Sequence, residues 1–388
     1  MNGECARGGA FKTVENSGGV ESLRFDPEAC LKVGLAPERL NNAESVVANG
    51  IKDGAFAGAV WIIARHGLVV RHGALGAAMR VPFSREMRTD AVFDIASITK
   101  PLFSLLMMSM IEDGRVHLDL PVAEFIPAFR DGVRQKITIR HLLTHSSGIP
   151  GQIPLYRWSH NRAEMLELVY GLPLVFEPGM GVLYTSQGFM VLDEIMRRIV
   201  GGDWESELMQ RIFKPLGLER TRFKPPAEWR DLIAATEYCS WRGRVIVGEV
   251  HDENAAVMGG VAAHAGLFST AWELAVIGQM MLNRGIYGGK RILSERAVDL
   301  MCGDHTPGLS LVRALGWQGK DPIGSPAGEL MSESSFGHTG FTGTSLWIDP
   351  EFKLVVVLLT NRVHPSRDSN GIFSVRPRFH NAVCASLV

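Results

Sequence analysis

The chain has 388 residues, 46% hydrophobic and 21% charged, an ordinary globular composition with length enough for a large core and two structural lobes. Its 40 basic and 41 acidic residues leave a formal net charge of −1, which gives no electrostatic footprint for nucleic acid or for an anionic membrane surface. The five cysteines are odd in number and scattered, with no CxxC or Cys/His cluster, so neither a disulfide framework nor a zinc site is indicated.

Residues 1–34 read as a loose leader. Met1 to Phe25 is polar and Gly-rich and lacks the apolar stretch of a secretory signal, so a cytoplasmic location is expected. A helix is expected over Pro37–Asp53, with Leu40, Val46, Val47 and Ile51 as its apolar positions. Ala59 to Gly73 holds two β-rich runs around His66-Gly67, a hairpin pattern. Then comes Asp94-Ile-Ala-Ser97-Ile-Thr-Lys100, followed at once by the apolar run Pro101 to Ile111. That run is apolar nearly all round, so its helix should be buried, and it is too short to span a bilayer. Pro101 falls in the first turn, where a missing N–H costs little. Ser97 therefore stands at a helix N-terminus. Residues three apart share a helix face, which sets the Lys100 amine beside the Ser97 hydroxyl. A lysine in apolar surroundings is pushed toward its neutral form, which can accept a proton from serine.

Leu118 to Pro127 reads as a loop, and Ile137 to Gly148 as a short helix ended by Gly148. His141 and His145 have the i,i+4 spacing that can hold a metal. No acidic residue of the HExxH kind accompanies them, so packing or capping roles are expected and no metal is assigned. Glu177 to Ser186 is a Gly/Pro turn leading into a helix with Ser186 as N-cap and Phe189, Leu192, Ile195, Met196 and Ile199 as its stripe. Further helices are expected at 203–215 and 270–284. The small residues of the loop between them, 250–269, allow close backbone approach at a cleft. Phe336 to Ile348 and Lys353 to Thr360 flank an Asp349-Pro-Glu turn; the second is continuously apolar and reads as a central strand covered on both faces. Residues 376–388 suggest a closing helix. With β elements at both ends and helices between, the expected fold is α/β (α+β) and two-lobed. Residues 35–94 and 305–388 form an antiparallel sheet flanked by helices, and residues 95–304 form an inserted, mainly helical lobe. A cleft at the lobe interface is the default site.

Three segments carry the chemistry: Ser97-Ile-Thr-Lys100, Tyr184-Thr-Ser186 and His338-Thr-Gly340. In order and spacing they resemble the signature set of the serine β-lactamase-like superfamily of acyl-enzyme hydrolases. The leading tyrosine points to class C β-lactamases, family VIII carboxylesterases and D-alanyl carboxypeptidases. Thr144-His-Ser-Ser-Gly148, Glu177-Pro-Gly179 and His264 to Thr270 are similar to the same group, and the resemblance runs over residues 35–388. It implies the β-lactamase/transpeptidase-like fold, with Ser97 as the nucleophile that forms an acyl intermediate and Lys100 holding and activating it. Tyr184 becomes the general base, a role a phenol can fill beside a cation such as Lys100. It would then protonate the leaving group and activate the deacylating water. Ser186, His338, Thr339 and Gly340 bind substrate, Gly340 letting it lie against the backbone. The backbone N–H groups of Ser97 and Phe341 form the oxyanion hole. No cofactor is called for, and the partner is a small-molecule ester or amide.

Two departures shift the expected substrate. The usual Tyr-x-Asn is Tyr-Thr-Ser here, so the amide that contacts a peptide-like acyl group becomes the short hydroxyl of Ser186. His338 stands where lysine is usual, which weakens the positive charge available to a substrate carboxylate. Both lean toward carboxylic esters. The alternatives are a β-lactamase, D-alanyl carboxypeptidase or D-aminopeptidase with the same Ser/Lys/Tyr chemistry, or a non-catalytic acyl-binding protein on the same fold. The last would be marked by loss of Ser97, Lys100 or Tyr184, and all three are present.

Overall fold

The continuously apolar run Leu354–Thr360 can be buried along its whole length only if it pairs on both edges and is covered on both faces. In the computed structural model, which describes residues 22–388, it lies within an eight-stranded sheet. The strands are β1 Arg24–Phe25, β2 Gly58–Arg65, β3 Leu68–Met79, β4 Arg85–Glu86, β5 Gln318–Gly319, β6 Phe336–Thr339, β7 Ser345–Asp349 and β8 Leu354–Thr360. Their order is β1-β3-β2-β8-β7-β6-β5, with β4 beside β3. Every pairing is antiparallel except the short parallel contact of β1 with β3. The sheet is thus built from both ends of the chain. The expected hairpin is β2–β3, turning at His66 and Gly67, both with positive φ.

The helices that frame the sheet and the cleft are α1 Pro37–Lys52, α2 Thr99–Glu112, α3 Ile139–Leu143, α4 Ser186–Val200, α5 Ala271–Leu282 and α6 Ile372–Cys384. Side chains alternate along a strand. On one face Trp61, Ile63, Val356 and Leu358 join Leu40 and Val47 of α1 and Val375 and Phe379 of α6. On the other, Val60, Ile62, Val355 and Val357 join Leu274 and Ile277 of α5. Each such fully buried aliphatic or aromatic side chain contributes about 1.5–3 kcal/mol. Helix α2 is buried on every side from Thr99 to Met110, as its all-round apolarity demands. Among the described residues no helix is long and apolar enough to cross a membrane.

Several local expectations are corrected. Residues 22–34, assigned to a loose leader, pack on the sheet: Leu23 is wholly buried and β1 pairs with β3; residues 1–21 lie outside the described residues. The helix expected over 137–148 is confined to α3, because His145 turns left-handed at φ 58°. The helix expected over 203–215 runs without a break from Trp204 to Leu216, with a π-helical turn at Met209–Phe213. The N-cap of α4 is Thr185, whose Oγ1 accepts the Gly188 N–H at 3.2 Å, and Ser186 is the first helical residue. The loop over 250–269 contains the helix Glu253–Val257 and the strand Leu267–Ser269. Phe336 to Ile348 is two strands, because the chain turns between them at Gly343 with φ 109°. Helix α6 starts at Ile372, earlier than expected.

Candidate active site

Ser97 sits in a single 3-10 turn, Ala96–Ile98, that runs directly into α2. The turn is held in a costly shape. Ala96 adopts φ 47°, a left-handed conformation that costs a residue with a Cβ about 1–2 kcal/mol. Buried Asp94 holds it there: its Oδ1 accepts the Ala96 N–H at 2.8 Å and its Oδ2 the His251 N–H at 2.6 Å. Burial pushes the Asp94 carboxyl pKa up, and these N–H donors oppose the shift. From the other side, Thr342 Oγ1 donates to the Asp94 carbonyl at 2.7 Å and Thr344 Oγ1 to the Ile95 carbonyl at 3.1 Å. The turn after β6 is thereby fastened to the turn that carries Ser97. A Cβ at position 340 would lie 2.1 Å from Thr344 Oγ1 and 2.6 Å from the Ile95 carbonyl oxygen, so only glycine permits this approach.

Lys100, wholly buried one turn further on, is the hub. Its Nζ donates to Tyr184 Oη at 2.7 Å, to the His264 carbonyl at 3.1 Å and to Ser97 Oγ at 3.2 Å, with Ser186 Oγ at 3.4 Å. An ammonium has three protons, so the three shorter contacts account for them. Four residues singled out from the sequence thus converge on one point. The phenol is aimed by what precedes α4. The Thr185 N–H donates to His145 Nδ1 at 3.1 Å, and the His145 ring lies 4.6 Å from the Tyr184 ring. Burial, then the Lys100 charge, holds His145 well below the usual histidine pKa, so it stays neutral and can accept that proton. His141 instead completes the capping box at the start of α3, where its Nδ1 accepts the Thr138 N–H. The two histidines therefore serve different elements.

The small-residue loop supplies a second layer. His264, whose carbonyl accepts from Lys100, pairs through Nε2 with Asp252 Oδ1 at 3.2 Å. Burial alone would raise the Asp252 carboxyl, but His264, the Ala255 N–H and Lys100 together outweigh it and hold the group well below the usual carboxylate range.

His338, Thr339, Gly340 and Phe341 line the same cavity as Ser97, Tyr184 and Ser186, a space of about 620 Å³. His338 is 5% exposed, and burial, then Lys100, pushes its pKa down to about 3. Its Nδ1–H donates to the Thr339 carbonyl at 2.8 Å. At neutral pH it carries no charge, so position 338 offers a substrate carboxylate no cation. The positive charge of the cleft comes from arginines that sequence reasoning missed: Arg157, Arg313, Arg362, Arg367 and Arg376 line the cavity. Arg313 pairs with Asp321 and Arg367 with Glu237 and Glu253. Among the described residues, Arg157, Arg362 and Arg376 form no ion pair.

The buried neutral histidines make the fold acid-sensitive. His380 is pushed down to about 4, chiefly by burial, and His338 to about 3. The unfolded chain takes up these protons near the ordinary histidine value of 6.5 while the native state does not. Stability is therefore fully present above that value and falls as pH drops toward 4. Urea midpoints should decline from about pH 7 to about pH 5, a window above ordinary carboxylate titration; a flat profile there would contradict the burial of neutral histidine.

A family model described as Beta-lactamase matches residues 43–375 of the chain. Over 370 residues the chain is 30% identical to a protein provisionally named D-alanyl-D-alanine carboxypeptidase from Escherichia coli (strain K12), covering 86% of this chain and 84% of that one. Over 366 residues it is 29% identical to an N-acetylmuramyl-L-alanine amidase from Bacillus subtilis (strain 168), covering 85% and 82%. Among solved structures it is similar to EstCE1, described as a hydrolase with promiscuous acyltransferase activity, with 24% identity, a TM-score of 0.70 and coverage of 89% of this chain and 99% of that one. It is also similar to a family VIII carboxylesterase, with 20% identity, a TM-score of 0.69 and coverage of 91% and 99%. These two structural likenesses concern the fold.

Proposed function

The chain belongs to the beta-lactamase family, a family of serine hydrolases, and from that premise we propose that it hydrolyses carboxylic esters through an acyl-enzyme on Ser97. The observation that carries the reading is the position of Lys100 Nζ, 3.2 Å from Ser97 Oγ and 2.7 Å from Tyr184 Oη. Ser97 Oγ attacks the ester carbonyl as its proton passes to the phenolate oxygen of Tyr184, whose own proton resides on Lys100, and Lys100 holds both oxygens. The negative charge that develops on the carbonyl oxygen is met by the N–H groups of Ser97 and Phe341; losing one such donor typically costs about 3 kcal/mol. The tetrahedral intermediate collapses, the C–O bond to the alcohol breaks, and Tyr184 returns its proton to the departing oxygen. Water then repeats the sequence on the acyl group and frees Ser97.

The short hydroxyl of Ser186, in place of an amide, supports ester over peptide-like acyl groups. One observation favours a second reading, hydrolysis of a carboxylate-bearing amide: Arg157 lines the cleft, exposed to solvent and without an ion-pair partner among the described residues. The names of the two sequence relatives, a carboxypeptidase and an amidase, point the same way. The readings separate in a direct comparison of p-nitrophenyl acetate and butyrate with nitrocefin, a D-alanyl-D-alanine peptide and muramyl dipeptide. The ester reading expects a burst and a kcat/KM at least about tenfold higher on the esters. A higher value on either peptide gives the second reading, and faster nitrocefin turnover gives a β-lactamase.

A further inference from the structure

The Gly340–Phe341 peptide unit lies between two arginines. Arg376 Nη2 donates to the Gly340 carbonyl at 2.7 Å and to the Thr344 carbonyl at 3.0 Å. Arg362 Nε donates to the Phe341 carbonyl at 2.8 Å, and its Nη1 to the Ser369 carbonyl at 2.6 Å. The Gly340 carbonyl and the Phe341 N–H are the two ends of one peptide group.

Arg376 is an unusual choice for a structural staple. It is 4% exposed, its Nε is buried without a partner, and among the described residues it forms no ion pair. Burial, then the like charge of Arg362, pushes its pKa down to about 9, so it remains a cation at neutral pH. A buried cation without an anion is costly, and a neutral amide would join α6 to the turn without that cost. What a cation adds is polarisation. The peptide bond is a resonance hybrid, so a charged donor on the carbonyl oxygen draws electron density from the nitrogen and makes the N–H a stronger donor.

We propose that Arg376 is a positioning residue of the oxyanion hole: it holds and polarises the Gly340–Phe341 peptide so that the Phe341 N–H is aimed at the developing oxyanion, while Arg362 fixes the next peptide plane. The proposal rests on the reading above that the Phe341 N–H is the second oxyanion donor. It accounts for the exposure of Phe341, whose ring is 47% exposed and lies 4.5 Å from the Arg362 guanidinium: the turn uses the backbone of this residue and leaves the ring at the rim. Because negative charge grows from bound ester to tetrahedral intermediate, the effect belongs to kcat more than to KM.

The test compares p-nitrophenyl acetate with its thionoester analogue, in which sulfur replaces the carbonyl oxygen. Sulfur is a weak hydrogen-bond acceptor, so a working oxyanion hole prefers the oxygen substrate. Wild type should show that preference by about a hundredfold or more. In Arg376→Met, kcat on the oxygen ester should fall about tenfold or more with KM within about threefold, and the preference should shrink toward unity. Arg376→Lys, which keeps the charge with a single donor group, should lie between. Circular dichroism and phosphonate labelling of Ser97 establish that each variant is folded; if Arg376→Met is not, the preference in Arg376→Lys must still fall below wild type. A folded variant that loses kcat with the preference unchanged, or that loses neither, overturns the proposal. Absence of the preference in wild type itself sinks the Phe341 reading beneath it, a separate and recognisable failure.

Discussion

Ser97→Ala is expected to lower turnover of p-nitrophenyl acetate by about ten-thousand-fold or more and to abolish covalent labelling by a serine-directed phosphonate. The lost oxygen is the only atom in the constellation that would bond to carbon. What would remain are the N–H donors and the cleft, which bind and polarise a carbonyl without attacking it. The fold should survive. Ser97 is half-buried, the turn is held by Asp94 and by Thr342 and Thr344 rather than by the serine side chain, and Lys100 keeps Tyr184 Oη and the His264 carbonyl. A melting temperature near that of wild type is therefore expected alongside the lost activity. Full labelling and activity in the variant would transfer the nucleophile to another residue.

Tyr184→Phe removes a single oxygen from the centre and should cost about a hundredfold to ten-thousand-fold in kcat. The ring stays, so its contact with His145 survives. Lys100 Nζ loses its shortest contact, at 2.7 Å, and keeps those to Ser97 Oγ and the His264 carbonyl. With no group to take the serine proton or return it to the leaving alcohol, both acylation and deacylation slow. Mass spectrometry after mixing with p-nitrophenyl acetate should find any acetyl-enzyme that forms persisting longer than in wild type. Unchanged turnover would take Tyr184 out of the mechanism.

What the sequence made legible has short-range causes. The all-round apolarity of 101–111 marks a buried helix, the continuous run 354–360 a central strand, and the i,i+3 spacing of Ser97 and Lys100 a shared helix face. The meeting of Tyr184 with that pair was legible only through the resemblance, since no local pattern joins residues so far apart. Other features depend on depth or on tertiary partners. His338 reads as a titratable histidine until burial beside Lys100 makes it neutral. Ser186 reads as a cap, but Thr185 fits the geometry one residue earlier. Arg362 and Arg376 have no motif around them, because their targets are backbone carbonyls 21 and 36 residues away, and a carbonyl leaves no mark in a sequence. The packing of residues 22–34 rests on a few scattered side chains, Leu23, Ala29, Cys30 and Val33, and on a two-residue strand, with no periodicity that a sequence pattern would display.

Helix α2 is enclosed on every side, and Ser97 and Lys100 stand at its head. The entropic cost of assembling these two groups is therefore met once, at folding, rather than at each encounter with a substrate. The outer parts of the cleft are under no such constraint: Phe373 lines it with 60% of its surface exposed. Mutational drift can reshape that mouth and change which molecules enter while the reaction centre stays intact, so one inherited chemistry can pass among descendants with different diets.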